Sequence, residues 1–250
     1  MIHLKNGSEI AKMGLAGKII AKTMREVSGA MEAGKSSLKD LDAHAERIIL
    51  AEGGIPSFKG YKGFPAAACI AVNEGVVHGI PTDYVVQEGD IVTLDFGVIW
   101  QGWHADSAWT FGVGEIGENA RRLMNVTKES LYQGIGKARV GNRVGDISHA
   151  VQSYVERNGY SVVRDLVGHG IGQNLHEEPS VPNFGKPKKG PVLRAGTTIC
   201  IEPMVNEGSH RVMTLDDDWT VVTQDGKLSA HFEHTVAVTS DGPMILTMDE

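Results

Sequence analysis

The chain has 250 residues, 41% of them hydrophobic and 22% charged, with a formal net charge of −7 and a pI near 5.8. That length buries a sizeable core as one large domain or two small ones, and the acidic balance argues against nucleic-acid binding that rests on electrostatics. Two cysteines are too few for a disulfide framework, and neither a signal peptide's apolar run nor the ~20 uncharged residues of a membrane span is present, so a reducing, cytoplasmic setting is expected.

In chain order, Ser8 predicts the cap of a helix running to about Met31, with Ile10, Met13, Ile20, Met24, Val27 and Met31 near helical spacing and Gly34 as its stop. Ser37-Leu-Lys-Asp reads as a capping box with Asp in place of Glu, opening a helix through Leu50 that ends at Gly53-Gly54. Extended segments follow at 67–72, 91–99 and 104–111. The order then recurs. A helix over 118–139 and a second one, capped by Asp146 and stopped by Gly159, precede extended segments at 161–165, 197–205, 219–223 and 232–239. Two helices followed by strands, twice over, predict one α+β domain over 1–250 with halves of similar plan, roughly 8–111 and 117–239. Gly112-Val-Gly-Glu-Ile-Gly between them reads as a loop, and Lys186, Lys188 and Lys189 read as a solvated one.

Five residues stand out by their context: Asp95 in Ile91-Val-Thr-Leu-Asp-Phe-Gly, Asp106 in Trp103-His-Ala-Asp-Ser, His169 in Gly168-His-Gly-Ile-Gly, Glu202 in Ile201-Glu-Pro-Met and Glu233 in Phe232-Glu-His-Thr. Four oxygen donors and one imidazole exceed what one cation needs once water and substrate are counted. They suit two divalent ions sharing carboxylates, the equipment of metal-assisted hydrolysis. Segments 91–99 and 104–111 read as the arms of a hairpin turning near Trp100–Gly102. With an even-length turn Asp95 and Asp106 share a face, their Cβ atoms about 4.5–5.5 Å apart if opposite and farther if diagonal. Taken alone, each signal has an ordinary reading as well: a surface-facing strand carboxylate for Asp95 or Asp106, a structural histidine for His169. Glu233 points the same way as Thr235 and Ala237, small residues that leave room beside it. His78 and His176 are candidates for substrate binding or for support of the ligands, and His104 shares the parity of Asp106. His44 and His149 fall on predicted helices and read as surface residues, while Cys69 and Cys200 lie in apolar runs and read as buried thiols.

Together with Gly60-Tyr-Lys-Gly-Phe-Pro, Ala68-Cys-Ile-Ala-Val-Asn-Glu-Gly-Val-Val-His-Gly-Ile-Pro, His176-Glu-Glu-Pro and Leu228-Ser-Ala-His-Phe-Glu-His-Thr, these segments resemble the type I methionine aminopeptidases. The resemblance runs in order over essentially the whole chain. It implies the pita-bread fold shared with prolidase and aminopeptidase P: two pseudo-symmetric halves around a curved antiparallel sheet, helices on the outer face. It also implies two divalent metal ions (Mn, Fe, Co, Zn or Ni), with Asp95 on one, Asp106 and Glu233 bridging, and His169 and Glu202 completing the second. A monovalent cation near Asn73, Gly75 and Ser229 belongs to the same picture. Glu202 would carry a proton to the leaving amine, His176 would bond the carbonyl or oxyanion, and His78 the scissile amide. Phe58, Tyr61, Cys69, His78, Leu175, His176 and Trp219 would surround the substrate and its methionine side chain. Phe58, Tyr61 and Trp219 read equally as plain core.

The implied partners are N-terminal methionyl peptides and nascent chains, met by a monomer in transient contact with the ribosome, with neither direct nucleic-acid binding nor a membrane. Three positions depart from familiar members: Leu175 where many have an aromatic, Phe58 where some carry cysteine, and Gly97 where some have a hydroxyl residue supporting the ligands. A proline-specific peptidase of the same fold and a catalytically silent binding protein are the rival readings.

Overall fold

The first helix, α1 (Gly7–Gly29), is capped by Asn6 and not by Ser8. In the computed structural model, which describes residues 2–248, the Asn6 side chain accepts from the backbone N–H groups of Ser8 and Glu9. The Glu9 carboxylate accepts from Asn6 N in return, at 2.8 Å, which completes a capping box two residues earlier than the serine suggested. The helix also stops short of Met31, capped by Ala30. In α2 (Leu38–Ala51) the expected box is present: Ser37 accepts from Asp40 N and Asp40 from Ser37 N.

The first strands are β1 (Ile55–Pro56), β2 (Cys69–Val72), β3 (Gly75–Val77), β4 (Ile91–Trp100) and β5 (Trp103–Gly112). The last two form the expected hairpin. Its turn is the two residues Gln101 and Gly102, with φ of 50° and 80°, and positive φ at both positions is what a type I′ turn demands. The register follows from that even turn: Gly97 faces Asp106 and Asp95 faces Ala108, so the two aspartates stand diagonally on one face.

The second half opens with α3 (Glu118–Ile135) and α4 (Val144–Arg157). The former ends earlier than the expected Arg139, because Lys137 and Ala138 already bond three residues back, to Gly134 and Ile135, and tighten the chain into turns. Asp146 lies inside α4, not at its cap; it accepts from Arg143 N at 2.8 Å and from Lys188 N at 2.8 Å. Strands β6 (Ser161–Val162), β7 (Gly168–Gly170), β8 (Glu177–Val181), β9 (Thr198–Ile201) and β10 (Met204–Asn206) follow. The last are β11 (Val212–Thr214), β12 (Val221–Thr223), β13 (Ser229–His231), β14 (His234–Thr239) and β15 (Gly242–Ile245).

Two predicted strands are interrupted at a glutamate. Residues 197–205 divide at Glu202-Pro203 into β9 and β10, and 232–239 begins only after Phe232-Glu233, with β13 before it. Here the chain changes partners: β9 pairs with β14, whereas β10 pairs with β13. Pro203 has no N–H to give a ladder, and Glu233 N turns aside to bond Ala108 O of β5 at 2.7 Å. Both breaks put a glutamate at the seam.

All ladders are antiparallel. They run β1–β4–β2 with β5 on β4, β11–β12–β3, β13–β10–β6, and β15–β14–β9–β7–β8. Helices α1 and α2 cover the first half's sheet through Ile20, Ile49, Leu94 and Phe96, and α3 and α4 cover the second through Leu131, Ile147, Ile199 and Val236. Among the described residues no helix is long and apolar enough to cross a membrane.

Helix α1 also packs against the C-terminal segment, and Gly17 is where the backbones meet: a Cβ there would overlap the Leu246 carbonyl, whereas Gly14 has nothing within 4 Å. Gly17→Ala is expected to cost about 1–3 kcal/mol of stability from overpacking. Gly14→Ala should gain up to about 1 kcal/mol, from helix propensity alone. Urea denaturation of the two variants checks the contrast, and equal stabilities would mean that this contact does not constrain the helix.

Candidate metal centre

Each donor reaches the site from a different local device. Asp95 and Asp106 come from the hairpin face, with Cys69 of β2 directly across from Asp95. Glu202 and Glu233 come from the two strand breaks, and His169 from the centre of β7. The seam between the halves is fastened by hydroxyls. Thr235 Oγ1 accepts from Asp106 N at 2.9 Å and donates to Asp106 O at 2.8 Å, and Ser107 Oγ donates to Glu233 O at 2.6 Å. Asn183 donates to the Glu202 carbonyl at 2.9 Å. Such outer contacts fix the direction of the carboxylates.

The donors converge. His169 Nε2 lies 3.5 Å from Glu202 Oε1 and 4.0 Å from Asp106 Oδ2. Ligand atoms of Asp106, His169, Cys200 and Glu233 all fall within 4.8 Å of one another. His169 Nδ1 is 2.9 Å from the Gly170 carbonyl. A carbonyl can only accept, so Nδ1 carries the proton and Nε2 turns its lone pair toward the carboxylates. Burial lowers this histidine to about 4, which keeps it neutral.

Four carboxylates packed this closely do not ionise freely. Burial, then neighbouring negative charge, pushes Asp106, Glu202 and Glu233 well above the usual carboxylate range, and burial pushes Asp95 up to about 7. Asp95 Oδ1, Asp106 Oδ1 and Glu233 Oε1 are buried without a hydrogen-bond partner among the described residues. Unpaired buried anions cost several kcal/mol each, roughly, unless a cation offsets them. Oxygen donors with one imidazole, orphaned and mutually repelling, fit divalent metal of the carboxylate-preferring kind.

The cluster forms the floor of a cleft of about 330 Å³, within the range of small-ligand pockets. Phe58, Tyr61, Cys69, His78, Leu175, His176 and Trp219 all line it. Tyr61 Oη lies 2.9 Å from His176 Nδ1, and the His176 ring stands 4.2 Å from that of His169. Trp219 precedes β12 and is not part of it. Asp217 holds its turn by accepting from Trp219 N and Thr220 N, and the indole meets Phe64 edge-on at 5.1 Å. His78 has a φ of 57°, a left-handed conformation that its surroundings must enforce, and burial lowers its pKa.

Two departures noted in the sequence explain each other. A Cβ at Gly97 would come within 2.6 Å of Phe58 Cε1 and 2.8 Å of Ser57 Cβ. The phenyl ring therefore occupies the space a side chain at 97 would take. His104 turns to Ser57, its Nδ1 2.9 Å from Ser57 Oγ, and does not line the cleft. His44 and His149 also lie outside it.

Sequence reasoning missed two residues. Cys200 lies two positions before Glu202, hence on the same face, and His231 stands two before Glu233. His231 is 1% exposed, has neither ring nitrogen hydrogen-bonded among the described residues, and lies 3.9 Å from Glu202 Oε2. Period-two spacing from each glutamate was the signal for both.

Residues 11–240 match metallopeptidase family M24. The chain belongs to this family. The methionine aminopeptidase of Clostridium perfringens is 55% identical over 99% of both chains, and methionine aminopeptidase 1 of Bacillus subtilis is 52% identical over 99% of both. The crystal structure of a methionine aminopeptidase from Thermotoga maritima superposes with a TM-score of 0.98 at 46% identity, covering 100% of both chains. A prolidase from Pyrococcus horikoshii, 22% identical, shares the fold alone: its TM-score is 0.81 over 99% of this chain and 64% of its own. The architecture is the pita-bread fold, and this M24 chain's donor cluster supports the use of divalent metal.

Asp95 keeps its proton in the folded protein up to about 7, whereas an unfolded aspartate releases it near ~3.9. Between those values the folded state binds more protons, so stability must fall as pH rises. In chelator, urea denaturation between about pH 4 and 8 should show that fall, and Asp95→Asn should lessen it, the remainder coming from Asp106, Glu202 and Glu233. A dependence unchanged by Asp95→Asn would mean that Asp95 is already ionised in the cluster.

Proposed function

We propose that this M24 protein removes the N-terminal methionine from newly made chains whose next residue is small, by metal-assisted hydrolysis of the first peptide bond. The observation that carries this reading is the junction, in one cleft, of the five-donor cluster with the largely apolar wall of Phe58, Tyr61, Cys69, Leu175 and Trp219. The full-length relatives named methionine aminopeptidase support it.

In this reading Asp95, Asp106, His169, Glu202 and Glu233 would hold two divalent cations of the Mn²⁺, Fe²⁺, Co²⁺, Zn²⁺ or Ni²⁺ class. When bound, such ions polarise the scissile carbonyl and make water nucleophilic at neutral pH. The chain's own groups do the rest. Glu202 takes the proton from water and returns it to the leaving amine. Burial, together with nearby His169 and Lys62, lowers His176 to about 3, so its ring is neutral. Tyr61 O–H donates to His176 Nδ1, which leaves Nε2–H to donate to the substrate carbonyl as negative charge develops there. His78 bonds the scissile amide. The substrate's free N-terminal amine would bind at the metal pair, which restricts cleavage to the first bond.

Aromatic rings and the Cys69 thiol receive the methionine thioether. A monovalent cation would be held near Asn73, Gly75 and Ser229, where Ser229 N donates to Asn73 O at 2.9 Å. The protein acts as a single catalytic unit and a monomer, in the cytoplasm, on chains emerging from the ribosome.

Metal-stripped protein, with Mn²⁺ or Co²⁺ restored, should release methionine from Met-Ala-Ser at least about tenfold faster than from Met-Ile-Ser, and leave Ala-Pro-Ser intact. Cleavage of Ala-Pro-Ser instead would point to a proline-specific peptidase, and silence on all three with metal bound to a binding protein. His176→Ala should lower kcat by about 10²–10³ at unchanged metal content. Asp106→Asn should lower the metal content itself, measured by elemental analysis after dialysis.

A further inference from the structure

Lysine is almost never buried without a partner, yet Lys5 is 4% exposed. It lies in the segment before α1, with its backbone N–H on Gly196 O at 2.7 Å. Its Nζ stands 2.6 Å from Glu177 Oε2 and donates also to His3 O at 3.1 Å. Glu177 immediately follows His176. Its other oxygen accepts from Asn174 N at 3.1 Å, so one carboxylate ties the loop 171–176 to itself and to Lys5. The loop leads from β7, which carries His169, to β8, and it delivers Leu175 and His176 into the cleft. Its backbone is fastened by Ile171 N to Thr198 O at 3.2 Å and by His104 N to Gly172 O at 2.8 Å, both at the β7 end. The Leu175–His176 end is held from behind by the ion pair, and Lys5 itself does not line the cleft.

We propose that Lys5 is a positioning residue: its buried ion pair with Glu177 sets where His176 and Leu175 stand in the cleft, and through them the rate of methionine release. The inference rests on the reading of His176 and Leu175 as substrate-facing groups. Burial alone would raise Glu177, but the hydrogen bonds from Lys5 and Asn174 outweigh it and hold the carboxyl below its usual range. The carboxylate is therefore charged at neutral pH. Removing the ammonium leaves a buried carboxylate with no counter-charge. Any readjustment of that carboxylate strains its bond from Asn174 N and pulls on its chain neighbour His176. A displacement of about 1 Å at a substrate-contacting group is enough to cost on the order of 10²-fold in rate.

The test uses the full-length, metal-loaded protein. Lys5→Met should lower kcat on Met-Ala-Ser by about 10- to 100-fold, with KM nearly unchanged and metal content intact. Lys5→Arg, which keeps the charge, should recover most of the loss. In a His176→Ala background Lys5→Met should lower kcat much less than in the unaltered protein, because of the two groups it positions only Leu175 remains. Amide hydrogen exchange over 171–177 should quicken in Lys5→Met and return toward the unaltered protein in Lys5→Arg. That readout needs no reaction, so inactivity of the unaltered protein, which would sink the functional reading, is separable from failure of the ion-pair inference. Should Lys5→Met not fold, Glu177→Gln, which keeps the size and an acceptor oxygen, is expected to give the same exchange change at lower amplitude. Equal losses of kcat/KM in both backgrounds, or unchanged exchange in the folded variants, would overturn the proposal.

Discussion

Mutual repulsion among four buried carboxylates is the constraint on which the rest of this structure depends. Asp95, Asp106, Glu202 and Glu233 all stand in one desolvated space, and Asp95, Asp106 and Glu233 each have an oxygen that finds no hydrogen-bond partner among the described residues. No arrangement of carboxylates alone is stable there, since each neighbour raises the cost of ionising the next. The fold tolerates the crowding because every one of these side chains springs from backbone fixed for other reasons. A two-residue turn sets the hairpin register, and strand breaks at Pro203 and Glu233 set the two glutamates. A divalent cation turns the same crowding into the favourable interaction.

The site is also what joins the halves. The hairpin of the first half contributes two carboxylates, and the second half supplies the imidazole and the other two. Short hydroxyl side chains cross the seam, Thr235 to the backbone of Asp106 and Thr110 to the backbone of His231 at 2.9 Å. Thr110 is itself held by Thr93, 2.8 Å away in the neighbouring strand. Serine and threonine suit this place because they satisfy buried backbone groups without adding charge beside the acids.

Away from the metal donors, the cleft is shaped by compensation. Phe58 needs the space that Gly97 vacates, so the larger wall and the missing side chain form one change and not two. Tyr61 Oη shares a hydrogen bond with His176 Nδ1, while Lys5 and Glu177 hold the same loop from behind. The residues that line the cleft are thus oriented by side chains packed beside and behind them.

Local signals in the chain carried much of this. The Ser37–Asp40 capping box, the hairpin and the parity of Asp95 with Asp106 follow from neighbours a few residues apart, where steric and hydrogen-bonding rules act without tertiary help. The order of motifs carried the family. Other local signals lost to better ones: Asn6 outcompeted Ser8 because Glu9 could close its box, and Asp146 served inside its helix because Arg143 N lay within reach. What the chain could not disclose was convergence. That Glu202 and Glu233 sit at strand breaks, that Cys200 and His231 join them, and that Lys5 reaches Glu177 across 172 positions depend on which distant strands pair. Residue types and short-range geometry were therefore decided by sequence, and their meeting point by tertiary packing, because burial and ion pairing act between groups that chain order keeps far apart.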